Sequence, residues 1–156
     1  MGLYSVAFTG PKITGSNALA LCEIQASATD YPRIKEISGA FLNVGAGATV
    51  LGVGRSTAPG VIKPTAQYPL VPYYSAQDPA CGVIVGVDWS VLPTVPANFF
   101  KRMSLNSTTS TLIQFDFVFR SGIVILPSTS LVLWVISSTA TGLIPQLYDI
   151  NVELDS

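Results

Sequence analysis

The sequence predicts an all-β protein, an antiparallel jelly-roll-like sandwich of about eight to ten strands with no substantial helix. Residues 111–120 alternate apolar and more polar side chains, which is the period-two pattern of a strand with one buried face. Residues 123–126 and 131–136 are then apolar on both faces, and Pro127 between them would interrupt a helix. Short strands of this kind recur along the chain without helical crossovers, which is typical of a sandwich or barrel.

Hydrophobic alternation and turn residues predict the strand positions. The predicted strands are residues 4–8, 18–26, 33–43, 49–55, 82–89, 98–105, 111–120, 123–126, 131–136 and 146–154. The alternation of the third strand slips near Ser38 and Gly39, which indicates a β-bulge. Residues 15–25 are the sole helix candidate, and their alanines suit either state.

The chain of 156 residues is expected to form one domain, spanning 1–156. Residues 57–80 differ in composition, because they contain five prolines, and they predict a long and mostly extended connection. Three tyrosines of this connection, Tyr68, Tyr73 and Tyr74, are candidate contact residues, since rings on a stiff backbone give contact area at low entropic cost. The alternative is a connection that simply lies over the sandwich.

The surface is poor in charge, which points to contacts with further copies of the chain. Charged residues make up 11% of the sequence and the net charge is −1, against about 25% charged residues in typical soluble domains. Either Ser and Thr supply the polar surface, or neighbouring copies cover much of it. The segment 131–136 favours the second interpretation, because one of its apolar faces suffices for the core. Its candidate interface residues are Leu131, Leu133, Trp134 and Ile136; the alternative is an ordinary central strand.

The absence of histidine argues against an enzyme. Without histidine the chain has no Ser-His-Asp or Cys-His arrangement and lacks the usual ligand of catalytic zinc and iron. The carboxylates are scattered and do not form an Asp-x-Asp run, so we expect no metal, no cofactor and no catalytic residues. Cys22 and Cys81 are expected to be free, as in a protein made in a reducing cytoplasm.

Nucleic acid and membrane are not expected as partners. The eight basic residues are spread along the chain and only Lys101 and Arg102 are adjacent, whereas phosphate binding needs a clustered basic footprint. Apolar runs stay well below the length of a membrane span, and the first residues lack the pattern of a signal peptide.

Several segments resemble a family of virion proteins. The residues that carry the similarity are PRIKEI (32–37), FLN (41–43), LGVGR (51–55), VPANFFKR (95–102), FRSGIVILP (119–127) and SLVLW (130–134). They resemble the β-rich decoration, or cement, proteins of tailed bacteriophage heads, over roughly residues 30–136. The resemblance implies a homotrimer that binds the major capsid protein from outside the capsid, stabilises the shell and is made in the host cytoplasm.

Two other functions remain open at this point. A trimeric jelly-roll binding module, such as a tail fibre or a receptor- or glycan-binding head, would need an exposed aromatic platform, for which Tyr73 and Tyr74 are the candidates. An enzyme is the third alternative, and the residues give it the least support.

Overall fold

The computed structural model describes residues 2–10, 18–42, 49–73, 81–105, 111–117, 121–137 and 147–155. The strands within them are β1 (Leu3–Gly10), β2 (Ala18–Ala26), β3 (Arg33–Leu42), β4 (Thr49–Ser56), β5 (Val61–Ile62), β6 (Gln67–Tyr68), β7 (Val71–Pro72), β8 (Val83–Gly86), β9 (Trp89–Val91), β10 (Lys101–Leu105), β11 (Thr111–Asp116), β12 (Ile123–Val124), β13 (Ser130–Ser137) and β14 (Leu147–Asp155). A 3-10 turn at Pro64–Ala66 is the helical element of these residues.

Two antiparallel sheets form a jelly roll. Sheet 1 has the strand order β11-β3-β14-β1-β7, with β12 also paired to β3, and sheet 2 has the order β10-β4-β13-β2-β8-β6. Along the jelly-roll strands, the chain changes sheet at every step from β1 to β4, between β10 and β11, and on either side of β13, whereas β4 and β10 lie in the same sheet. This alternation gives two four-stranded sheets, β11-β3-β14-β1 and β10-β4-β13-β2, which is the double Greek-key arrangement of a jelly roll. The predicted fold class is therefore confirmed.

The core fills the space between the sheets. Alternating residues of sheet 1, such as Ile37, Phe115 and Val152, meet alternating residues of sheet 2, such as Leu51 and Leu133, in one buried cluster. The alternation is interrupted by bulges, one of which lies at Leu133/Trp134 of β13, where β2 holds an extra residue. A second irregularity occurs in the pairing of β14 with β3, between Glu153 and Leu154 rather than at the predicted position.

The long segment between β4 and β10, residues 57–100, is here called the insertion. It is longer than the predicted connection at 57–80 and holds strands as well as extended chain. β8 and β6 extend sheet 2 beyond β2, β7 pairs with β1 of sheet 1, and β5 pairs with β9 in a separate two-stranded ribbon. The insertion therefore adds the outermost strands of both sheets on the same side of the sandwich, beyond β1 and β2.

The strand predicted at 82–89 is divided into β8 and β9, which belong to different sheets. The other predicted strands are found, with ends shifted by a few residues. Residues 18–25 of the helix candidate form part of β2, because an apolar segment between two other strands is buried on both faces, and residues 15–17 lie outside the described residues. β11 ends at Asp116, and Phe119 lies outside the described residues. The predicted single domain over 1–156 stays a prediction. Within the described residues, no helix has the length and hydropathy that crossing a membrane requires.

Candidate interaction surfaces

The outer face of sheet 2, here called the covered face, carries a small second core. Ala20, Val132 and Trp134 are buried there, away from the space between the sheets, and Trp89 and Phe99 of the insertion pack against them. Trp134 is 2% exposed and Val132 is 0% exposed within a single chain. The insertion therefore supplies the cover that this apolar face requires.

Two glycines of β4 let the insertion approach the covered face. Gly52 and Gly54 lie beside Trp134 and Val132 in the strand register. A Cβ on Gly52 would lie 2.6 Å from Cδ1 of Phe99, and a Cβ on Gly54 would lie 2.7 Å from Cγ of Pro96. Any side chain at these positions would push the insertion off the sheet, since such contacts are well below van der Waals separation.

A buried carboxylate fixes the insertion to the covered face. Glu23 of β2 is 0% exposed. Its Oε1 accepts a hydrogen bond from the backbone N–H of Gly60 at 2.9 Å, and its Oε2 accepts one from the indole N–H of Trp89 at 2.6 Å. Gln25, two residues further along β2, donates from Nε2 to the carbonyl oxygen of Gly60 at 2.8 Å. Burial, with the charge of Glu23 as a smaller cause, raises the pKa of the neighbouring Cys22 thiol far above its usual range.

The start and the end of the insertion are joined by hydroxyl groups. Ser56, buried at the end of β4, donates from Oγ to the carbonyl oxygen of Thr94 at 2.9 Å. The hydroxyl of Thr94 accepts the backbone N–H of Ala58 at 2.8 Å, and the carbonyl oxygen of Ala58 accepts the backbone N–H of Thr94 at 3.1 Å. The insertion is thus held at both ends as well as across the face.

The predicted interface on β13 needs a correction. Leu131 and Leu133 belong to the core between the sheets, and Trp134 lies under Phe99 of the same chain. A second copy is therefore not needed to cover Trp134, because a distant segment of the same chain folds back onto it, which the pattern of the strand alone does not reveal. The side chain of Ile136 lies outside the described residues. The homotrimer itself stays a prediction.

The three tyrosines of the predicted contact surface differ in environment. Tyr68 stacks on Phe8, with ring centroids 4.6 Å apart, and packs against the core, so the contact role predicted for it does not fit its position. Tyr73 is half exposed and donates from its hydroxyl to Oε1 of Glu153 at 2.6 Å. This hydrogen bond raises the pKa of Tyr73 above its ordinary value of 10.0. Tyr74 lies outside the described residues.

The outer face of sheet 1, here called the open face, is polar. Its outward residues come in rows across neighbouring strands: Asp116, Glu36, Glu153 and Ser5 in one, Gln114, Ser38, Asn151 and Ala7 in the next, and Leu112, Ala40, Asp149 and Thr9 in a third. Two shallow concavities meet at Gly39, one of about 320 Å³ along β1 and β14 and one of about 650 Å³ along β3 and β11. Leu112, 80% exposed, lines the larger one.

Exposed apolar side chains are concentrated on the insertion. Of the eleven large apolar side chains that are exposed among the described residues, eight lie between residues 57 and 100. Val61 and Val91 face each other in the β5–β9 ribbon and are 55% and 58% exposed. Leu92 and Val95, which follow β9, are 61% and 50% exposed. We call these four residues the apolar patch.

The described residues offer little that would support catalysis. They contain no group of three Cys, Asp or Glu side chains placed to hold a metal ion. Cys22 is buried with a raised thiol pKa, so it is a poor nucleophile, and neither Cys22 nor Cys81 forms a disulfide in this structure. The expectation that the protein is not an enzyme and needs no cofactor stays a prediction.

Comparison with known proteins gives low similarity throughout. No family model matches the chain, and no curated protein matches it. Among solved structures, the coat protein of Tobacco streak virus is 12% identical and has a TM-score of 0.40, with 97% of this chain and 85% of that chain covered. A structure of Desmodium yellow mottle tymovirus is 7% identical and has a TM-score of 0.30, with 97% of this chain and 79% of that chain covered. Scores this low support no inference, and the fold assignment rests on the strand order described above.

Proposed function

We propose that the protein is a structural component of a virus particle, built into the shell through contacts with further copies of itself. The observation that carries this proposal is the apolar patch on the insertion. The insertion already covers Trp134, yet it still carries eight of the eleven exposed large apolar side chains of the described residues. Exposed apolar surface of this kind marks interaction sites, and jelly rolls with such surfaces serve as capsid subunits.

Within this role, the sequence resemblance favours a decoration protein that binds the outside of a phage head. It supports a homotrimer as the form that binds, the major capsid protein as partner and the capsid surface as location. A subunit of the shell itself is the alternative, and the jelly-roll topology is compatible with both.

Expression of the protein alone, followed by negative-stain electron microscopy and light scattering, separates the two virion roles. A shell subunit is expected to form closed particles or large assemblies by itself. A decoration protein is expected to stay a small oligomer and to bind only when preformed capsids are added. A protein that stays monomeric and is missing from purified virus particles by mass spectrometry would contradict both.

A binding module is the second candidate function, and Tyr73 is the observation that favours it. Its ring is half exposed, with the carboxylate of Glu153 beside its hydroxyl. Such an arrangement of ring and acid suits a glycan hydroxyl. A glycan array decides between the two functions, since a shell component is expected to give no sugar-specific signal.

A further inference from the structure

On one side of the sandwich, two strand edges pair with no other strand of the described residues. β10 ends sheet 2 and β11 ends sheet 1, whereas the insertion extends both sheets on the opposite side. β10 and β11 also contact each other, so both free edges lie together. Free edges are the places where a sheet can accept another chain, and proteins usually protect them.

Three carboxylates form a row on the open face next to this edge. Asp116 of β11 lies opposite Glu36 of β3, and Glu36 lies opposite Glu153 of β14. We call these three residues the acidic row. Like charges directly opposite each other destabilise a sheet. Glu36 and Glu153 accept hydrogen bonds from neutral donors, Gln114 Nε2 at 2.9 Å and the hydroxyl of Tyr73. These two carboxylates are therefore suited to a cation that comes from elsewhere.

Basic residues gather at the same side of the sandwich. Three of the six cations among the described residues lie on β4 and β10, and each is placed over an aromatic ring. The pairs are Arg55 over Phe100 at 5.1 Å, Lys101 over Phe117 at 4.9 Å and Arg102 over Phe99 at 5.8 Å. We call Arg55, Phe100, Lys101 and Arg102 the basic edge. Its cations are exposed, and Phe100 is 48% exposed.

We propose that the basic edge of one copy docks on the acidic row of a second copy, and that a twofold axis repeats the contact in the opposite direction. The proposal deepens the proposed function, on which it rests, by naming the partner of this surface. Arginine and exposed aromatic rings are enriched at protein interfaces, and opposite charges set the register of two partners. The contact also covers the free edges of β10 and β11 and the exposed Leu112.

The position of the two surfaces within one chain favours a twofold contact. Lys101 Nζ donates to the backbone carbonyl oxygen of Asp116, so the basic edge and the acidic row are direct neighbours. In a twofold arrangement each residue pair occurs twice, so that neighbouring opposite charges on one copy both find partners on the other. A shell needs more than one kind of contact, and this one is distinct from the apolar patch.

Charge exchange between two variants tests the proposal. Arg102→Glu and Glu36→Arg are each expected to weaken dimerisation about tenfold or more, measured by sedimentation equilibrium at low salt. An equimolar mixture of the two variants is expected to regain the dimer, because the new side chain of Arg102→Glu then faces the new side chain of Glu36→Arg while the second contact keeps its natural pair. Rising salt concentration is expected to dissociate the wild-type dimer.

Lys63→Glu is the matched control, since it reverses a charge on the insertion away from the basic edge, where Lys63 pairs with Asp88. It is expected to leave the dimer intact. If a reversal variant does not fold, as judged by circular dichroism, Arg102→Gln and Glu36→Gln replace it and are each expected to weaken the dimer by a smaller factor. Glu36→Gln should at the same time raise the melting temperature of the monomer, because it relieves the like-charge pair.

A wild-type protein that stays monomeric, or a variant mixture that does not reassociate, would overturn the contact. Mass spectrometry of purified virus particles tests the proposed function separately. A protein that forms this dimer but is absent from particles would refute the function and keep the contact, whereas a particle protein without the dimer would do the reverse.

Discussion

The two outer faces of the sandwich are built from strands of the same jelly roll, yet they present opposite surfaces. The covered face of sheet 2 carries Trp134 and two glycines, and 44 residues of insertion begin and end at its edge. The open face of sheet 1 carries carboxylates, serines and threonines in rows. The difference follows from the residues at the outward-facing positions of the strands, because an apolar outer face must be covered and a polar one can meet water.

The largest expected effect on this comparison comes from Trp134→Ala. The ring is buried under Phe99 within one chain, so its removal should leave a cavity and lower the free energy of unfolding by about 3–5 kcal/mol. Chemical denaturation of the monomeric protein measures this. Trp134→Phe is the milder companion and should cost less, because the indole N–H of Trp134 has no hydrogen-bond partner among the described residues. An unchanged midpoint for Trp134→Ala would mean that the insertion does not cover this ring in solution.

Loss of the hydrogen bonds that attach the insertion to β2 is expected to have the next largest effect. Glu23→Gln replaces an acceptor oxygen with an amide donor, which leaves the N–H of Gly60 or of Trp89 without its bond, at a cost of about 1–3 kcal/mol. Limited proteolysis is expected to cut within residues 57–100 sooner than in the wild type. Trp89→Phe removes a single bond and should act in the same direction with a smaller change. Equal protection of all three proteins would contradict the attachment.

A third substitution on the covered face adds a methyl group to β4 instead of removing atoms. Gly52→Ala places a Cβ against Phe99 and is expected to cost about 1–3 kcal/mol through overpacking. Phe99→Leu in the same chain should recover part of the loss, and a double-mutant cycle of unfolding free energies measures the recovery. Additive effects of the two substitutions would show that Gly52 and Phe99 are not in contact.

On the open face, the expected effects are small. Leu112→Ala should change the free energy of unfolding by less than about 0.5 kcal/mol, because the side chain is 80% exposed. Trp134→Ala is its natural counterpart on the covered face. The measurement is made at a protein concentration low enough to keep the chain monomeric, and a loss comparable to that of Trp134→Ala would contradict the exposed position of Leu112.

Tyr73 gives the open face a pH response. Its hydrogen bond to Glu153 raises its pKa, so the stabilisation is complete below the unfolded value of 10.0 and is lost as the pH rises through the higher folded value. Glu153→Ala is expected to return the pKa of Tyr73 toward 10.0, as followed by ultraviolet absorbance of the tyrosinate. The same titration curve in the variant and the wild type would show that the bond is not formed in solution.

The alternation of apolar and polar residues predicted most of the strands. The contacts between distant segments could not be predicted from it. Strands such as β14 were predictable because a buried face and a wet face leave period two in the sequence. The position of the insertion over Trp134 was not predictable, since β13 alone does not reveal which segment folds onto it. A signal was present in Gly52 and Gly54, two glycines on the same face of a strand, which indicate a close approach of backbone. Glu23, a single charge in an apolar strand, was a second.

The central strand of each sheet comes from the end of the chain. β13 lies between β4 and β2, and β14 lies between β3 and β1, with Leu3 opposite Asp155. β1, β2, β3 and β4 can therefore each pair on one side, with β7, β8, β11 and β10, before β13 and β14 fill the central position of each sheet. Folding that depends on such distant pairings is slow, in the range of milliseconds to seconds. The four-stranded part of each sheet is thus complete only when β13 and β14 have paired with their neighbours on both sides.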